Sequence, residues 1–76
     1  MVLYSSSRKI QEFGSSHALT IPSLFIKVRD LKKGNELRVL CCLDGVLIVS
    51  DIDNLNNMNK VLKKMINNIE ENKISP

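Results

Sequence analysis

The sequence predicts a mainly β domain with helices: two β-hairpins joined by a short helix, then an amphipathic C-terminal helix. Three observations carry this expectation. Short stretches containing apolar residues are punctuated by turn signals at Gly14, Gly34 and Asp44-Gly45. Pro22 stands between the two hairpin patterns, where it stops a strand and suits the opening of a helix. Leu55, Met58, Leu62, Met65 and Ile69 step by three, four, three and four, the spacing of one helical face. With 76 residues there is room for one core, and a chain this short buries only about 60% of its unfolded surface. A large internal active-site cavity is not expected, and no catalytic constellation is visible.

The first hairpin is expected from Arg8–Phe13 and Ala18–Ile21, with Gly14, Ser15 and Ser16 between them. In the second strand Leu19 and Ile21 share a face. In the first, Ile10 and Phe13 cannot both point inward at period two without a bulge near Gln11 and Glu12. After Pro22, the residues Leu24, Phe25, Val28 and Leu31 predict about two helical turns, and Gly34 is expected to end the connection in a left-handed conformation. From Glu36 to Leu43 a third strand places Leu37, Val39, Cys41 and Leu43 on one side. Asp44-Gly45 predicts a type I′ turn, and Val46–Ser50 returns as the fourth strand. Both faces of this second hairpin carry apolar residues, more than one short chain can cover.

The C-terminal segment is expected to form one helix of almost twenty residues, started by a cap at Asp53 or Asn54, with Val61 and Ile66 flanking its apolar stripe. Asn56, Asn57, Asn59, Asn67 and Asn68 oppose it by roughly 3 kcal/mol in total. Burying five apolar side chains, at about 1.5–3 kcal/mol each, offsets that cost, so the stripe must face protein. The domain division is therefore 1–52 and 53–76. The stripe can close the chain's own core; otherwise Leu55, Met58, Leu62, Met65 and Ile69 are the candidate oligomerisation residues, packing within a dimer, joining dimers into a tetramer, or binding another protein.

Charge is unevenly placed. Residues 1–50 hold seven basic side chains against four acidic ones, whereas residues 51–76 hold four of each, so the net charge of +3 belongs to the first part. A pI near 9.1 with localised excess points to a polyanion partner, although mild basicity also serves solubility alone. Cys41 and Cys42 are adjacent and cannot staple distant parts of a secreted fold, and one His with that pair does not make a zinc site. No metal or other cofactor is expected. The longest wholly apolar run, Val39–Leu43, is far short of the ~20 residues that span a bilayer, so a cytoplasmic protein without membrane attachment is expected.

Taken in order, Arg8–Pro22, the short helix, Lys33-Gly34-Asn35-Glu36-Leu37 and Leu43–Ser50 resemble the swapped-hairpin DNA-binding domain of the AbrB, MazE and SpoVT type. The most specific parts are Gly14-Ser15-Ser16 followed by Ala18-Leu19-Thr20-Ile21-Pro22, and the step from Lys33 to Leu37. The resemblance implies a β-barrel formed by an interleaved homodimer, over residues 1–52. It implies a transcription regulator, not an enzyme, that contacts double-stranded DNA. Arg8 and Lys9 match the basic pair of the family's first strand. Ser15, Ser16 and His17 occupy its loop, and Gln11 and Thr20 complete the candidate DNA-binding set. Thr20 stands where several relatives carry an arginine directed at DNA, a departure that bears on base readout. The alternative from the same resemblance is an antitoxin whose C-terminal helix binds a toxin. Lys60, Lys63 and Lys64 set that helix apart from acidic toxin-binding tails.

Overall fold

A computed structural model describes residues 2–75. The elements in chain order are β1 (Leu3–Tyr4), β2 (Gln11–Phe13), β3 (Ser16–Ala18), α1 (Ser23–Val28), β4 (Arg38–Cys42), β5 (Val46–Ser50), α2 (Leu55–Glu70) and β6 (Ile74–Ser75). They form three separate two-stranded sheets: β2 with β3 and β4 with β5, both antiparallel, and β1 with β6, parallel.

This corrects the barrel expectation. The chain is a small mixed α/β domain, and none of its sheets closes on itself or on another. Closure requires each strand to be hydrogen-bonded on both sides. Here every strand has a single partner. Nor is strand the dominant state, because α2 alone spans 16 residues and the longest strands span five. The first hairpin is also shorter than its sequence pattern suggests. Ser5–Ile10 belongs to no strand, although the Ser5 amide donates to the Ser75 carbonyl at 2.7 Å, and β3 stops at Ala18 rather than continuing to Ile21. Ile10 and Phe13 are 72% and 65% exposed, so the conflict over which points inward does not arise.

Local chemistry explains where the elements stop. Pro22 sits just before α1 at φ −53°, and its carbonyl accepts from the Phe25 and Ile26 amides. At the far end Asp30 adopts φ 51°, the Leu31 amide donates to the Ile26 carbonyl, and the Asp30 amide donates to that of Lys27. That is a Schellman cap with an aspartate in the left-handed position, four residues before Gly34, which itself has the expected positive φ, at 92°. The end of α2 repeats the device: Asn72 has φ 57°, the Lys73 amide donates to the Asn68 carbonyl and the Asn72 amide to that of Ile69. At its start the Asn54 side chain accepts from the Asn56 and Asn57 amides at 2.8 and 3.1 Å.

In the second hairpin Cys42 pairs with Val46, which leaves a three-residue loop in place of the expected two-residue turn. The Gly45 amide donates to the Cys42 carbonyl at 3.2 Å, and Gly45 alone has positive φ, at 109°. This is the pattern of a type I turn followed by a glycine that completes the reversal. The register puts Val39, Cys41, Leu47 and Val49 on one face and Leu40, Cys42, Val46 and Ile48 on the other. Both faces are apolar, as the sequence predicts, and most of these side chains are exposed.

Little is fully buried. Met58, at 3% exposure, is the one buried apolar residue among those described, and Asn68 is the one buried polar residue, its amide donating to the Lys64 carbonyl at 2.7 Å. Strand β1 packs on α2, and its partner β6 follows directly from the α2 cap, so both ends of the chain meet along this helix. Arg29, at the end of α1, is tied to Asp51, just after β5, by an ion pair at 2.9 Å.

The chain exposes 6816 Å². A folded monomer of this mass is expected to expose about 4,700 Å², so the excess is about 2,100 Å². The radius of gyration agrees in sign, at 13.7 Å, against about 11.4 Å for a compact domain of this length.

Candidate functional site

The basic residues of the first part and the β2–β3 hairpin form the candidate site. Residues Ser5–Ile10 lead into β2 outside any strand and carry Arg8 and Lys9, both exposed. Gly14, at φ 62°, and Ser15 make the turn, and Ser16 opens β3. Glycine suits this position because other residues occupy positive φ at a steric cost.

The register divides the candidates between two faces. Gln11 pairs with Ala18 and Phe13 with Ser16, so Gln11, Phe13, Ser16 and Ala18 share one side. Glu12 and His17 pair on the other, where the His17 Nε2 lies 3.5 Å from a Glu12 carboxylate oxygen. Both of these side chains are largely exposed. Gln11 and Ser16 thus belong together, His17 faces away from them, Ser15 sits at the tip, and Thr20 lies beyond the end of β3 on an unpaired segment. Phe13 shares the Gln11 and Ser16 side. Its place as one of only three aromatic residues, next to the turn glycine, is the signal that could have singled it out.

What this arrangement can do follows from its groups. Arg8, Lys9 and the hydroxyls and backbone amides of Ser15 and Ser16 can hold phosphate oxygens. Gln11 can donate to and accept from a base edge, and an exposed phenyl ring can stack or make apolar contact. The expected oligomerisation stripe, by contrast, is split. Met58 is buried, Leu62 and Met65 are half-buried, and Leu55 and Ile69 remain 55% and 54% exposed.

Two other features frame the site. An open cleft of about 280 Å³ between α1 and the Lys32–Leu37 segment is walled by Ile21, Ile26, Leu31 and Leu37, with Lys32 and Lys33 also lining it. No group of three or more metal-ligating side chains occurs among the described residues, and Cys41 and Cys42 are free thiols on an exposed strand. No helix among the described residues is long and apolar enough to cross a membrane.

The class these observations define is a small mixed α/β domain with an exposed hairpin preceded by a basic pair, and with more open surface than a compact chain of its size carries. No protein-family model, curated protein or solved structure matches the chain.

Proposed function

We propose that the chain is a cytoplasmic, homodimeric DNA-binding protein that regulates transcription, without catalytic activity of its own. The observation that carries this reading is the exposed Arg8-Lys9 segment running into a hairpin that offers Gln11, Ser15 and Ser16 to solvent, within residues 1–50, which hold the whole net charge. The surface excess of about 2,100 Å² per chain supports the dimer. A standard interface takes about 800 Å² of it from each partner. A second copy covering the apolar β4–β5 faces doubles the basic segment, so that phosphates on both strands of a duplex are within reach. The resemblance of residues Ser7–Ser50 to AbrB-type regulators supports the same function.

The antitoxin reading has less support, because α2 is folded onto β1 of its own chain and carries Lys60, Lys63 and Lys64.

Binding of a fluorescein-labelled duplex, followed by anisotropy from 50 to 300 mM salt, tests the proposal. If the dimer neutralises about six phosphates, log K falls against log salt with a slope near −5. Arg8→Ala with Lys9→Ala should flatten the slope toward zero by about 3 to 4, since four of the six cations are then gone. Absence of binding at 50 mM salt, or a slope unchanged in the double variant, overturns the reading.

A further inference from the structure

We infer that the uncovered flank of α2 is a second self-association surface, paired antiparallel with α2 of another copy of this chain. Successive residues of a helix turn by about 100°. On that basis Met58, Val61, Met65 and Asn68 occupy one sector of α2, the one that holds both fully buried residues. Leu55, Leu62, Ile66 and Ile69 occupy the adjacent sector, about 60° wide. Three of these four are open, with Leu55 and Ile66 at 55% exposure and Ile69 at 54%. The two sectors together make an apolar arc wider than β1 covers, running along four turns of a helix whose asparagines oppose its formation.

Area and charge both name a second copy as the occupant. A standard interface withdraws about 800 Å² from each partner. That leaves about 1,300 Å² of the excess on each chain uncovered. The apolar faces of β4–β5 and the flank of α2 belong to different elements, so one ordinary contact does not remove both.

The outer border of the flank carries Lys63 and Glu70, and neither is in an ion pair among the described residues. Lys63 lies three residues before Ile66 and Glu70 four after it. A twofold crossing centred there sets each Lys63 level with Glu70 of the other copy, while Leu62, Ile66 and Ile69 meet their counterparts. Lys60 and Lys64 lie on the far side of the helix, so like charges are not brought together.

Sedimentation velocity of the full chain at 100 µM tests this, with the double variant Ile66→Asn/Ile69→Asn. Both side chains are more than half exposed, so the fold within the chain is retained, which far-UV circular dichroism verifies. The expected result is that the variant has half the wild-type mass. A fall from tetramer to dimer also leaves the hairpin-face dimer standing. A fall from dimer to monomer supports the α2 contact and sinks the hairpin-face dimer. Lys63→Glu should weaken assembly, and Lys63→Glu with Glu70→Lys should restore it. A wild-type chain that sediments as a monomer, a double variant of unchanged mass, or a charge exchange that fails to restore assembly each overturns the inference.

Discussion

Dilution is the most direct test of the proposed dimer, because association that covers the surface excess adds a concentration-dependent share to the stability of the fold. An unfolded chain of this mass exposes about 12,500 Å². The folded chain exposes 6816 Å², so folding alone hides about 5,700 Å². Covering the excess of about 2,100 Å² would raise the total to about 7,800 Å² per chain, of which other copies would supply more than a quarter. A reaction in which a dimer unfolds to two chains changes its free energy by RT ln of the concentration ratio, about 2.7 kcal/mol for a hundredfold change. With a denaturant slope of about 2–3 kcal/mol per molar urea for the pair, the midpoint should move by about 1 M between 100 and 1 µM protein. Circular dichroism at 222 nm, in cells of different path length, measures both curves. Superimposed curves at the two concentrations would refute the area reasoning, since a self-sufficient monomer has no concentration term.

Further changes probe the parts. Met58→Ala should destabilise the chain by about 2–5 kcal/mol in urea titration, since it empties the most buried apolar position; a loss under ~1 kcal/mol would show that no core forms there. Asn54→Ala should cost about 1 kcal/mol and lower helicity at 222 nm, because two amides at the start of α2 lose their acceptor. Asp30→Gly should instead stabilise by about 0.5–1 kcal/mol, since glycine takes φ 51° without the steric cost a side chain carries there. Lower stability of that variant would mean that the Asp30 side chain supplies more than its backbone conformation costs.

The features legible along the chain were those with a period or a stereochemical requirement. Val46–Ser50 is the strand that its apolar run implies, and its partner β4 follows from the same alternation. Asn54 caps α2 as one of the two expected residues. The turn at Asp44-Gly45 was legible in place but not in type, because loop length depends on which residues pair, and Cys42 with Val46 admits three residues between them. Gly34 takes the expected positive φ, at 92°, while the earlier left-handed residue that caps α1, Asp30, left no comparable signal because aspartate is far rarer than glycine in that conformation. Within the candidate site, exposure of Arg8, Lys9, Ser15 and Ser16 could be expected from their polarity. The separation of His17 from Gln11 and Ser16 could not, because it follows from the register of three residue pairs.

Neighbouring residues alone set the local layer: hairpins around Gly14 and Gly45, a helix after Pro22, and a long amphipathic helix after Asn54. Side-chain period, φ preference and capping act over a few residues and leave their mark on neighbouring letters. Contacts between distant residues set the rest: the hairpins stay as separate sheets, Leu3 and Tyr4 pair with Ile74 and Ser75, and one half of the α2 stripe is covered while the other stays open. A ladder two residues long has no period to read, and its partners lie at opposite ends of the chain. Which sector of α2 is covered depends on where that distant pair comes to rest.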